Sequence, residues 1–188
     1  GHTIAGLVIN RPETPVVGLF ALTEGATIRN LTLESGEVSG YQYVGGIVGA
    51  NMDGAVVENC TSSTTVNSAG TAGGIVGYNV GSSSIVTCSS SASVSGVLGI
   101  GGLVGENGES AIVKNCYSTG TVTGEGDYVG GLVAINTGGA EVKRSFSTSS
   151  VSGASSVGGL VGGNVDHSTI TDCYATGSVA GQQNVGGL

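Results

Sequence analysis

The sequence predicts an all-β fold: a right-handed parallel β-helix, or β-solenoid, of about six 28-residue coils. Three observations predict it: a fixed 28-residue period, a two-residue alternation inside each period, and no helix-period segment longer than a turn or two.

The period is plain on the page. The stretch "VGGIVGANMDGAVVENCTSSTTV" (44–66) returns as "AGGIVGYNVGSSSIVTCSSSASV" (72–94). An aliphatic residue follows Gly-Gly at Ile47, Ile75, Leu103, Leu132, Leu160 and Leu188, in steps of 28, 28, 29, 28 and 28, and Leu19 lies 28 before Ile47. The longer step takes its extra residue in "GEGDY", at residues 125–127, which reads as a turn bulge rather than a calcium site. A second landmark comes 13 residues after the first, at Cys60, Cys88, Cys116, Ser145 and Cys173. A third comes six further on, at Val66, Val94, Val122, Val151 and Val179.

Within a repeat, Cys116, Ser118, Gly120 and Val122 share one face, and Tyr117, Thr119, Thr121 and Thr123 the other. One small or apolar face and one hydroxyl-rich face describe a half-buried strand. Val, Ile, Thr and Tyr favour strands, and abundant Gly and Ser oppose helix. Leucine-rich repeats have a similar length, and Ile28, Leu31 and Leu33 loosely match their consensus, but that fold needs a helical segment where this chain has "GGLVG". A strand-only unit cannot bury its apolar face alone, so its copies stack at about 4.8 Å into a rod about 30 Å long. Residues 1–188 read as one domain, with 1–40 a lead-in and first coil and 41–188 the repeated coils. The pattern is already running at the first residue and still running at the last, as in a fragment of a larger protein.

Composition narrows the function classes. Of 188 residues 37 are Gly, yet no Gly-X-Y triplet recurs, and 39% hydrophobic residues with a positive mean hydropathy separate the chain from disordered low-complexity sequence. No apolar run approaches 18 residues, so no membrane insertion is expected. A net charge of −8 with five basic residues excludes nucleic acid as a partner, since phosphate binding needs clustered Lys and Arg. Two histidines and no C-x-x-C spacing lead us to expect neither metal nor cofactor.

Stacking turns each repeat position into a column. The cysteine column reads Leu7, Leu31, Cys60, Cys88, Cys116, Ser145, Cys173, an inward site for something small. Free thiols are expected because stacked side chains point the same way, although a Cys60–Cys88 or Cys88–Cys116 bridge stays within Cα reach. Asn51, Asn79, Asn107, Asn136 and Asn164 form a second column, an internal amide ladder or, less simply, a row of ligand amides. Asp53, Gly81, Glu109, Gly138 and Asp166 form a third. Its acids would lie about 9.6 Å apart on alternate coils, near the spacing of an inverting glycosidase pair. With no Lys, Arg or His converging on them, these read as turn residues, no catalytic residue is assigned, and the chain is expected not to be an enzyme. Tyr117, Phe146 and Tyr174 form an outward aromatic stripe beside Thr119, Thr148 and Thr176, either a binding site for a glycan or protein or simply a stacked sheet face. Lys114 and Lys143 share a solvated column, with Arg144 near Asp172.

The phrases "VGGIVG", "AGGIVG", "IGGLVGEN", "VGGLVA" and "VGGLVGGN", each followed by an Ile or Val and then by Cys or Ser, resemble the GLUG-motif repeats of bacterial surface proteins. The opening 33 residues resemble the lead-in that precedes such arrays. That family occurs in secreted adhesins, in filamentous-haemagglutinin-like proteins and in immunoglobulin A-specific metallopeptidases, where the repeats lie outside the catalytic unit. The resemblance implies an extracellular or cell-surface location and a non-catalytic stalk or adhesive surface. Host glycan or protein and the rest of the parent chain at both ends are the implied partners. The alternative is a substrate-docking module of a secreted peptidase or polysaccharide-active enzyme.

Overall fold

A computed structural model describes residues 1–188, which form strands, turns and bends with no helix. One circuit of the chain contains the strands Tyr43–Gly45, Val48–Met52, Val56–Glu58, Thr61–Ser62 and Thr65–Ser68. Each pairs in parallel with its own copies in the coils before and after: Ala72 lies against Val44 on one side and Ile100 on the other. The result is an all-β parallel solenoid.

The Gly-Gly segments make a seven-stranded sheet and the next two segments six-stranded sheets. The last two segments belong to one twelve-stranded sheet, because the long strand Leu31–Gly40 pairs with both Thr61–Ser62 and Thr65–Ser68. The rod therefore has about seven coils rather than six. The added one begins at Val16–Val17, in the lead-in, where no Gly-Gly marks it.

The lead-in also corrects the cysteine column. Strand His2–Asn10 lies against Leu31–Gly40 with His2, not Leu7, opposite Leu31, while Leu7 faces Gly36. Ile4 and Ile9 oppose Leu33 and Val38, and burying those two pairs together sets the register.

The 29-residue step is a local change: only the corner 125–128 has a fourth residue, and the next corner, 154–156, has three again. Gly96 pairs with Gly124 but Ile100 with Val129, so residues 97–99 face the longer run 125–128. Tyr128 (φ 60°) is left-handed at the end of this corner, and Ser156 (52°) and Asn184 (50°) repeat that conformation in the next two coils, whose corners have three residues.

The interior divides into two apolar lobes. The larger contains 18 buried residues, among them Ile47, Ile75, Leu103, Leu132, Leu160 and the inward Val57, Ile85, Val113 and Val142. The smaller contains 12, chiefly valines such as Val44, Val66, Val94 and Val122. Between them the coil is pinched to a waist, where Gly46, Gly74, Gly102 and Gly131, each the second of a Gly-Gly pair, meet a serine across the interior and Gly159 meets Ala175. A methyl group at Gly74 would lie 2.1 Å from Ser90 Oγ, and one at Gly131 would lie 2.3 Å from Ser147 Oγ. The first glycine is equally constrained, since methyl groups at Gly45, Gly73, Gly101 and Gly130 would fall 1.8–2.1 Å from the carbonyl oxygen three residues ahead. Even alanine has no room at either position, which is why the pair recurs.

Gly74→Ala should therefore lower the unfolding free energy by about 1–3 kcal/mol or more in urea titration, as expected for overpacking. Gly187→Ala, where no atom lies within 4 Å, should change it by less than about 0.5 kcal/mol. Equal effects at the two glycines would contradict the waist.

Candidate functional site

Strands Tyr117–Ser118, Phe146–Ser147 and Tyr174–Ala175 are successive members of the twelve-stranded sheet, which places Tyr117 opposite Phe146 and Phe146 opposite Tyr174. Their side chains alternate outward with Ser118 and Ser147, which are buried. Both ring pairs are stacked, with centroids 5.0 Å apart and planes within 2°. Tyr117 is 41% and Tyr174 53% exposed, and Phe146 between them is half-buried. Thr119, Thr148 and Thr176 are exposed on the next outward column.

In the other direction the aromatic column becomes Ser89, Thr61 and Thr32. Tyr117 thus has Phe146 on one face and only a serine position beside the other. That open side bounds a cavity of about 270 Å³ lined by Thr32, Thr61, Ser89, Ser91, Tyr117 and Thr119 among others, with Glu34 its one charged residue. Thr61 Oγ1 donates to Thr32 Oγ1 at 3.1 Å, whereas the hydroxyls of Ser89, Ser91 and Thr119 are not tied to another group of the protein.

The asparagines are interior. Asn51, Asn79, Asn107 and Asn136 are fully buried, and each donates from Nδ2 to Oδ1 of the next at 2.8 Å, ending on the exposed Asn164. Thr23 begins the ladder by donating from Oγ1 to Asn51 Oδ1 at 2.7 Å. The Nδ2 atoms of Asn51, Asn107 and Asn136 also donate to the carbonyls of Ala55, Ala111 and Ala140, tying the ladder to the following turn. Amides engaged on both sides leave little for a ligand.

The four thiols are free, with Cys60, Cys88 and Cys116 buried and Cys173 half-buried. Cys60 and Cys88 N–H groups donate to the sulfur of the next coil at 3.4 Å, and Cys116 N–H donates to Ser145 Oγ at 3.0 Å. Each thiol in turn points to the carbonyl two residues back, as Ser145 Oγ does to Lys143 at 2.9 Å. The position needs a small side chain that both donates and accepts, so serine substitutes for cysteine without loss of function. Contact with the Cys116 thiol, together with burial, pushes the Cys88 thiol up to about 12. Burial also raises Cys173.

Asp53, Glu109 and Asp166 occupy a corner at φ 53°, 51° and 51°, alternating with Gly81 and Gly138 at 65° and 62°. The next residue at each corner is left-handed as well, from Gly54 to His167, so the acids serve a tight turn. Lys143 pairs with Glu141, and Arg144 Nε donates to Asn115 Oδ1 at 3.1 Å rather than to Asp172.

One cluster has no signature in the repeat. Tyr43 and Tyr78 stack at 4.5 Å and 20°, with Glu106 next to Tyr78 in its column. Burial first and then the Glu106 charge push the Tyr78 phenol up to about 12, and burial with the neighbouring Glu109 raises Glu106. The two tyrosines lie 35 residues apart on different sheets, a separation that the 28-residue period does not connect.

A coil of five parallel strands, glycine-pinched and repeated every 28 residues, places the chain among the β-solenoid repeat proteins. More narrowly, it carries GLUG-motif repeats: the GLUG motif matches residues 40–67, 96–123 and 153–180. The fold is similar to the crystal structure of a "putative immunoglobulin A1 protease" from Bacteroides ovatus, with a TM-score of 0.77 and 25% identity over 97% of this chain. This chain spans 60% of the length of that one. No curated protein matches the sequence.

Asn107→Ala should cost about 2–5 kcal/mol, because it orphans the buried donor of Asn79 and the acceptor of Asn136. Chemical denaturation measures this, and a loss below 1 kcal/mol would show that the ladder is dispensable. In a thiol-reagent assay at pH 8, only Cys173 should react readily in the native state, and all four should react after denaturation. Fast native labelling of Cys88 would contradict its burial.

Proposed function

We propose that this chain is a non-catalytic repeat region of a bacterial cell-surface or secreted adhesin-like protein, serving as stalk and as binding surface for glycan or host protein. The observation that supports this reading is the parallel stack of Tyr117, Phe146 and Tyr174 on an outer face of a rod. An aromatic column in the open, flanked by threonine hydroxyls, combines apolar contact area with hydrogen-bonding partners and suits weak contacts repeated along a length. The rod itself suits a spacer, because each coil is held by its neighbours rather than by a distant core.

A second reading is favoured by the likeness to the Bacteroides ovatus structure: a substrate-docking module of a secreted peptidase. The same face would then hold substrate for chemistry performed elsewhere in the parent chain.

An array of host glycans and extracellular proteins, with immunoglobulin A1 included, tests both. Specific binding that falls about tenfold or more when Tyr117, Phe146 and Tyr174 are all replaced by alanine supports the surface role, in line with the energies of aromatic contacts. Capture of immunoglobulin A1 alone would favour docking. Binding indifferent to the triple substitution, or no binding at all, removes the face from consideration.

A further inference from the structure

The aromatic column ends at the edge of the groove. Tyr117, Phe146 and Tyr174 stack at 5.0 Å, and the position that would continue the series holds Ser89, which leaves one Tyr117 ring face bounding the 270 Å³ cavity. We infer that a pyranose ring of a neutral glycan completes the stack there, lying parallel to Tyr117 above Ser89. This deepens the adhesive-surface reading, on which it rests, by assigning it one groove and one ligand class.

Three features select that ligand. The Phe146 ring, within 2° of parallel to Tyr117, holds the tyrosine from behind, so the free face is presented without further ordering. An apolar C–H face of a sugar fits such a ring, whereas its edge carries hydroxyls. Around that edge lie the hydroxyls of Ser89, Ser91 and Thr119, each able to donate and accept. A purely apolar guest, such as a partner's aromatic side chain, would bury those hydroxyls unpaired, which is costly. Glu34 is the only charged group at the cavity, so an acidic sugar meets repulsion and no compensating cation.

The groove at the other end of the twelve-stranded sheet's circuit provides a contrast. It is larger, about 340 Å³, and also carries hydroxyls and amides such as Ser39, Asn67, Ser95 and Thr123, though fewer of them, and it has no aromatic face. Only the Tyr117 groove combines a stacking surface with a dense ring of hydroxyls.

The test uses the full 188-residue chain with neutral probes (lactose, maltotriose, cellotriose and N-acetylchitotriose) and sialyllactose as the anionic probe. Binding is read by saturation-transfer NMR and calorimetry. At least one neutral probe should bind and receive saturation on its ring C–H protons, with sialyllactose weaker than lactose. Tyr117→Ala should weaken binding about tenfold, and Tyr117→Phe should restore it, as expected of a stacking contact. Ser89→Tyr extends the protein's own stack into the site and should abolish binding, while Ser95→Ala, in the larger groove, should leave it unchanged. Unfolding curves confirm that each variant is folded. The assignment is overturned if no neutral probe binds, or if Ser89→Tyr and Tyr117→Ala bind as the parent does. Glycan or protein binding that survives Ser89→Tyr but is lost in Tyr174→Ala would overturn this groove and leave the wider adhesive face standing. Absence of binding to every glycan and protein on the array would remove both.

Discussion

Close approach at the glycine waist is the constraint on which the rest of the molecule depends. Each coil brings its own backbone within van der Waals contact of the opposite wall, with Ser62, Ser90, Ser118 and Ser147 facing the second glycine of each pair. Ser118 Oγ donates to the Gly131 carbonyl across the gap, so the waist is bonded as well as narrow. Pinching the circuit turns one wide interior, which valine and isoleucine could not fill, into two narrow lobes that they can. The small side chains in the rest of the repeat follow from that narrowness.

Much of this was legible from the sequence, and the reason is direct. In a parallel stack the repeat length is the hydrogen-bonding register, so residues 28 apart, or 29 across the inserted residue, are spatial neighbours. The stacked rings of Tyr117, Phe146 and Tyr174 and the bonded amides from Asn51 to Asn164 follow from that arithmetic alone. What the period does not encode is contact within a single circuit. The waist, the pairing of Tyr43 with Tyr78 and the concavity beside Ser89 all depend on how the coil bends, which a column-by-column reading does not contain. The lead-in misled for a related reason. Leu7 has the local spacing of a later landmark, yet its strand answers to Ile4 and Ile9, whose burial with Leu33 and Val38 outweighs the resemblance.

The candidate site owes its character to a break in an otherwise regular object. A column that was aromatic throughout would be a continuous sheet face, each ring satisfied by its neighbours on both sides. One that was hydroxyl throughout would be a solvated groove. The change from Ser89 to Tyr117 within one column produces what neither could: a ring with one face held and the other open, at the end of a polar trough. The regular scaffold contributes rigidity, and the departure from regularity contributes chemistry.

The added residue at 125–128 is taken up within one corner, and the strands on both sides of it keep their partners. The left-handed conformation of Tyr128 returns at Ser156 and Asn184, although those corners have three residues again. That corner can therefore differ in length from coil to coil while every strand edge still meets an edge in phase. An array of such units tolerates insertions there without interrupting the stack.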